Sequence, residues 1–331
     1  MLNVWSKKVK EKTKKTAFSL LELSVVILII GILITGVMKG GSLVSASRLN
    51  SARSLTARSS VGEINGLTAW YETTSLQSFG KRVPGGSGAP PTPEARISVV
   101  QLTDFRRDQD RIEIWRDVSP KCINNYSIVN TSTVVSAVTQ TADYINTCNA
   151  LSQATIANRP YYSLSGINSL PSVSFENGNN LLLDASFKDG NISVATKFVV
   201  FSIDANPASG NTATILNNNP ALNGQRIFID PTNISVNNGG SNNANIQTSY
   251  NIKNTYILGV IFAGANSYYK INNGTLTTLN LGTNIASALI VGGVNFVGKI
   301  SEIIVFNRML KESEMIEIFN YLGKKYKVQV L

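Results

Sequence analysis

The hydrophobic pattern divides the chain into stretches of different character. Residues 18–38, FSLLELSVVILIIGILITGVM, are apolar almost without interruption. As a helix this stretch would rise about 31 Å, the thickness of a bilayer's hydrocarbon core. Residues 40–79 are rich in Ser, Ala and Arg and lack proline, and Val61, Ile64, Leu67 and Tyr71 recur at steps of three and four. This spacing predicts that the helix continues beyond the apolar run, weakened at Gly40, Gly41, Gly62 and Gly66. Residues 80–94, GKRVPGGSGAPPTPE, read as a linker. Beyond it come short β-branched and aromatic runs separated by Asn, Gly and Ser, the texture of an antiparallel sandwich or barrel. Asn272-Asn273-Gly274 marks a tight hairpin. Met315, Phe319, Leu322 and Tyr326 mark one apolar face of a short closing helix.

Charge changes this picture at one end only. Of the net +10, the first 17 residues supply +5, through lysines 7, 8, 10, 12, 14 and 15 against Glu11. Such a flank stays cytoplasmic, so everything after residue 38 is expected outside the cytoplasmic membrane. The remaining charge is thinly spread. Arg48, Arg53 and Arg58 would lie about 140° apart round a helix and form no basic stripe, so nucleic-acid binding is not expected. The chain has no histidine. That excludes Ser/His and Cys/His nucleophile pairs, a histidine base and every histidine metal site.

The lysine-rich leader, a small residue, and then Phe-Ser-Leu-Leu-Glu opening an apolar helix resemble the signal segment of type IV prepilins and type II secretion pseudopilins. The resemblance covers residues 14–38 and implies cleavage by prepilin peptidase after Ala17, where the family usually has Gly. Phe18 would become the N-methylated N-terminus. Glu22 would serve assembly, meeting the terminal amine of a neighbouring subunit, because a carboxylate at that depth costs about 2.5–3.5 kcal/mol unless it is paired. Two other readings stay open: an uncleaved anchor whose Glu22 snorkels to the headgroups, and a secretory signal cut after Ala46.

Further along, Ile114-Trp115-Arg116-Asp117-Val118-Ser119, Asn158-Arg159-Pro160-Tyr161, residues 166–175 with Asn180-Leu181-Leu182, and residues 296–310 with Glu314 and Tyr321-Leu322 resemble, in order and spacing, laminin-G-like, concanavalin A-like jelly-roll domains. The expected fold is α+β: a long N-terminal membrane-spanning helix, a mainly antiparallel jelly-roll sandwich and a short C-terminal helix. The expected divisions are a leader (1–17), a transmembrane and assembly helix (18–79), a linker (80–94) and the jelly-roll domain (95–331). Trp115 is expected in the core.

Cys122 and Cys148 are the only cysteines. On the exported side a bridge between them is expected, worth about 3–4 kcal/mol on the chain-entropy model; two free thiols are the alternative. They cannot make a zinc site unaided and no oxygen-ligand spacing identifies a calcium site, so no metal site is named, and no cofactor is expected. No acidic triplet of the jelly-roll glucanase kind occurs. Glu113 and Asp117 flank Trp115, and Glu302 has no acidic partner at even spacing on its strand, so no enzyme and no catalytic residue is expected. The resulting expectation is a pilin-like or pseudopilin-like subunit anchored in the cytoplasmic membrane, its head displayed on the surface, pilus or periplasm, with other pilins as partners and a carbohydrate or surface protein as ligand. A head that only packs on secretion partners and an uncleaved, membrane-anchored lectin are the alternatives.

Overall fold

The computed structural model describes residues 20–82, 97–99, 108–123, 126–129, 137–140, 148–176, 180–184, 186–218, 224–239, 243–293 and 295–330. Two compact units divide the chain, Met1–Ser47 and Arg48–Leu331.

In the first unit the helix begins at Leu20, with Glu22 in its opening turn. Leu20, Leu21, Leu23, Val25, Val26, Ile27, Leu28 and the residues following to Ile34 are exposed, on every side of the helix. Ala17 and Phe18, with the lysine leader, lie outside the described residues. Among the described residues, no helix is long and apolar enough to cross a membrane.

The second unit opens with the last turns of the same helix, which ends at Ala57. The expected continuation to residue 79 does not occur. A single 3₁₀ turn, Ser60–Glu63, follows, and then Leu67–Glu72 is a strand. The spacing of Leu67 and Tyr71 suits a helix, but Leu-Thr-Ala-Trp-Tyr-Glu is rich in residues that favour strands. All but Leu67 of these side chains are buried, Ala69 and Tyr71 in one core and Trp70 in another. Gly66 makes the turn possible at a φ of +84°, and a Cβ there would meet the Asn307 side chain at 2.7 Å. The expected linker also starts too early, because Phe79–Arg82 is a strand paired with Ile114–Arg116. The sandwich therefore includes residues on the N-terminal side of the proposed 95–331 boundary.

Two antiparallel sheets form that sandwich. The first orders its strands Thr277–Leu279, Ser267–Ile271, Thr255–Phe262, Ala195–Ala205, Val297–Phe306, Leu170–Phe175, Tyr161–Ile167, and Leu67–Glu72 pairs additionally with Val297–Phe306. The second runs Ala244–Thr248, Asn233–Asn237, Arg226–Ile229, Ala213–Asn217, Leu289–Gly292, Leu181–Asp184, Ala150–Ser152, Ile114–Arg116, Phe79–Arg82, Ile97–Val99. Alternation along Ala195–Ala205 splits the core: Val199, Phe201 and Ile203 face the other sheet, while Phe198 and Val200 face the C-terminal helix.

The C-terminal helix, Glu312–Tyr326, packs Met315, Phe319, Leu322 and Tyr326 against the outer face of the first sheet, as their spacing predicts. Its start is held by Glu314, which accepts from the Lys311 backbone at 2.7 Å and from both terminal nitrogens of Arg308 at 2.9 and 2.6 Å. The hairpin at Asn272 also forms, joining Ser267–Ile271 to Thr277–Leu279 with Asn272 at a φ of 45°. Cys122 and Cys148 are joined in a disulfide, with Cα atoms 5.6 Å apart. Trp115 is fully buried, its indole N–H donating to the Glu72 carbonyl at 3.0 Å.

Candidate functional site

Where the last turns of the N-terminal helix meet the sandwich, four distant segments converge on one buried ammonium. Lys325, from the C-terminal helix, places Nζ 3.0 Å from Glu72 Oε2 and 2.8 Å from Glu302 Oε2, with all three side chains fully excluded from solvent. It also donates to Thr56 Oγ1 at 2.8 Å and lies 3.1 Å from Tyr321 Oη. Glu302 accepts from Trp70 Nε1 at 2.7 Å, Tyr321 Oη at 2.8 Å and Tyr326 Oη at 2.9 Å. Glu72 accepts from the Thr74 amide at 2.8 Å and hydroxyl at 2.5 Å, and from the Ser75 amide.

Burial alone would push Glu72 up, but Lys325 and the Thr74 hydrogen bonds outweigh it and hold the carboxyl below its usual range. Burial likewise works against the Lys325 ammonium, and Glu302 and Glu72 together reverse the effect and raise it. Burial, reinforced by the negative charge of Glu302, drives the Tyr321 and Tyr326 phenols well above the ordinary tyrosine value. The two carboxylates share one cation and are surrounded by donors, with no oxygen facing solvent. The cluster is a structural fastening between the helix end, the first sheet and the C-terminal helix.

Above it opens a cleft of about 670 Å³. Trp70, Val118, Pro120 and Leu76 form its apolar wall, and Arg53, Thr56, Ser59, Ser75 and Gln77 line its polar side. Arg53 Nε donates to the Thr74 carbonyl at 2.8 Å, tying the helix to the loop that forms the opposite lip. Trp70 is only 4% exposed, so it contributes a wall and not a stacking platform. Such a cavity, apolar on one side with converging hydrogen-bonding groups on the other, suits binding of a polar organic ligand.

The structure places the residues singled out in the sequence as follows. Glu22 lies on the exposed N-terminal stretch of the helix. Glu113 pairs with Arg159 at 3.3 Å. Asp117 Oδ1 accepts from the Trp70 amide at 3.0 Å and the Ser119 amide at 2.9 Å, and burial raises its pKa to about 6 against the pull of those hydrogen bonds. Neither acid faces the cleft lining. Among the described residues, no group of three or more Cys, Asp or Glu could hold a metal ion. Glu72, Lys325 and Arg53 were not singled out for any role from the sequence. The one available signal was a charged residue inside an otherwise apolar period: Glu72 closing an aromatic strand, and Lys325 beside Leu322 and Tyr326 on the buried face.

No family model matches the sequence, and no curated protein does. Among solved structures, a Trypanosoma rangeli sialidase in complex with the inhibitor DANA is similar at 14% identity and a TM-score of 0.40, over 74% of this chain and 36% of that one. A botulinum neurotoxin type C structure, described as concerning interaction with two ganglioside molecules, is similar at 12% identity and 0.38, over 61% and 52%. The binding domain of botulinum neurotoxin DC in complex with SialylT gives 13% and 0.38, over 60% and 51%. The chain spans about a third of the sialidase and about half of each neurotoxin chain it matches. Likenesses at that distance assign neither ligand nor activity, and what stands for this chain is a two-sheet antiparallel β-sandwich closed by a C-terminal helix.

Proposed function

We propose that the chain is a pilin-like or pseudopilin-like subunit, cut after Ala17 by prepilin peptidase and held in the cytoplasmic membrane by its apolar helix, with the sandwich displayed outside. The observation that carries this reading is the stretch Leu20 to Ile34, apolar on all sides and exposed, with Glu22 as its one carboxylate. A helix that is apolar all round is stable only in lipid or among similar helices. Within either setting a carboxylate needs a cation, and in a bundle of processed subunits the Phe18 amine of a neighbour supplies it. The last turns of the same helix are fastened to the head through Arg53 and Thr56, which suits a subunit whose assembly element must carry its head.

The experiment compares wild type with Glu22→Gln. Expected are a mature N-terminus at Phe18 in both, membrane insertion of both, and loss of the variant from sheared filaments or from crosslinks to other pilins. A mature N-terminus at Met1 or Ser47, or normal incorporation of the variant, would overturn the reading.

The head's role in this proposal is non-catalytic ligand contact through the cleft at Trp70 and Arg53, with a carbohydrate as the class its mixed lining suits. Leu76→Arg, at the exposed lip, should abolish glycan-array binding by the full chain while leaving its thermal midpoint unchanged. Array binding unaffected by that change would move the ligand elsewhere and favour a head that only packs on secretion partners.

A further inference from the structure

Lys197 lies in the middle of the first sheet, on the inward face shared by Val199 and Phe201, and is fully buried. Unlike Lys325, it meets no carboxylate among the described residues. Its Nζ contacts Asn218 Oδ1 in a short hydrogen bond, lies 3.4 Å from the Gln225 carbonyl and sits 5.3 Å from the centre of the Phe262 ring. Asn218, at the end of the second sheet's strand Ala213–Asn217, is also fully buried. Its Nδ2 donates to Gln225 Oε1 at 3.0 Å, and its amide donates to Asn217 Oδ1 at 2.8 Å. Gln225 is fixed in turn, donating from its amide to Asn238 Oδ1 at 3.0 Å and from Nε2 to the Ile192 carbonyl at 3.3 Å. An amine and a carboxamide from opposite sheets are therefore buried and held in contact by the hydrogen bonds around them.

From this geometry we propose that Lys197 and Asn218 form an intramolecular amide cross-link between the two sheets. Burial pushes the Lys197 amine well below its ordinary value, which favours the uncharged form that attack requires. The Nζ lone pair attacks Asn218 Cγ, forming a C–N bond as the carbonyl π pair moves to Oδ1. The adduct collapses as that pair returns and the Cγ–Nδ2 bond breaks. One Nζ proton passes to Nδ2, which leaves as ammonia, and the product is a secondary amide that keeps one N–H. No redox partner or other reagent is consumed. Gln225 Oε1 holds the leaving nitrogen, and the fixed contact spares the entropy of bringing the two groups together. Among the described residues no carboxylate is at hand to relay the proton, so the reaction follows folding slowly and the linked fraction grows with age. It also removes a cost, since a buried amine with no carboxylate partner among the described residues is replaced by a neutral amide.

The test is a tryptic digest of the aged, folded full-length chain after denaturation and reduction. Residues 189–226 contain one internal tryptic site, after Lys197. The cross-linked chain should give a single peptide over 189–226, uncut at Lys197 and lighter by one ammonia. Asn223-Gly224 in the same peptide can lose ammonia by closing on its own backbone, but that product is still cut after Lys197, so the missed cut and the mass must coincide. Chain kept unfolded since synthesis, and the Asn218→Ala variant, should both give separate 189–197 and 198–226 peptides. Those two peptides in full yield from the aged, folded wild-type chain would overturn the proposal.

Discussion

Replacing Lys325 with Met removes the ammonium that Glu72 and Glu302 share while keeping an unbranched side chain of similar reach. The change deletes contacts of 3.0 and 2.8 Å to the two carboxylates and of 2.8 Å to Thr56, in surroundings with no solvent access. Two negative charges then face each other in a dry interior. Removing one partner of a buried pair costs about 3–5 kcal/mol, a large part of the roughly 5–15 kcal/mol that holds a domain together. At about 2–4 °C per kcal/mol for a domain of this size, the thermal midpoint should fall by about 6–20 °C. The pH dependence gives the effect a signature. In the wild type Glu72 is held below its unfolded pKa, so its contribution is present above that value and is lost as pH falls through the folded one. In Lys325→Met the burial of Glu72 is no longer opposed by the ammonium and pushes its carboxyl up, so the folded variant takes up a proton and gains stability as pH falls. The gap between the two proteins should therefore close toward acid. Chemical denaturation of the full chain from pH 8 to pH 4, with the triple variant Glu72→Gln, Glu302→Gln, Lys325→Met as control, measures this. The triple variant should recover most of the loss. A single variant within about 1 kcal/mol of wild type at pH 7 would refute the reasoning.

Asp117, at a pKa of about 6 against the ordinary 3.8, is a raised acid: it costs stability above pH 6 and ceases to do so as pH falls toward 4. Asp117→Asn keeps an oxygen for the Trp70 and Ser119 amides, so it should raise the thermal midpoint at pH 8 by the equivalent of about 3 kcal/mol or less and change little at pH 4.5. Gly259→Ala would put a Cβ 2.8 Å from Phe319 and 2.9 Å from Phe198, lifting the C-terminal helix, and should cost about 1–3 kcal/mol by urea denaturation. Cys122→Ser with Cys148→Ser opens the 26-residue separation closed by the bridge and should lower unfolding free energy by about 3–4 kcal/mol, with no loss in native circular dichroism.

The elements legible in the sequence are those whose partners are close by or whose period is regular. The terminal helix follows from four apolar residues spaced along one face, and the hairpin at Asn272 from an Asn-Gly pair that tolerates positive φ. Leu67–Glu72 was misread because six residues with apolar positions four apart fit both periods, and its five strand rungs come from Val297–Phe306, more than two hundred residues away. The buried cluster was illegible for the same reason. Glu72, Glu302 and Lys325 look like solvated charges until the fold brings them together. Lys197 was hidden in an apolar strand whose inward face gave no hint that Asn218 would stand opposite it.

The fastening at Lys325 also governs the order in which the head can be finished during synthesis. Glu72 and its strand are made early, yet their partners on Val297–Phe306 come more than two hundred residues later, and the ammonium that neutralises Glu72 comes 253 residues later. Until Val297–Phe306 and Lys325 leave the ribosome, the strand next to the helix has an open edge and an uncompensated carboxylate, and it gains little by docking. A chain cut short of Lys325 therefore loses the joint that fastens head to helix, however much of the sandwich it keeps.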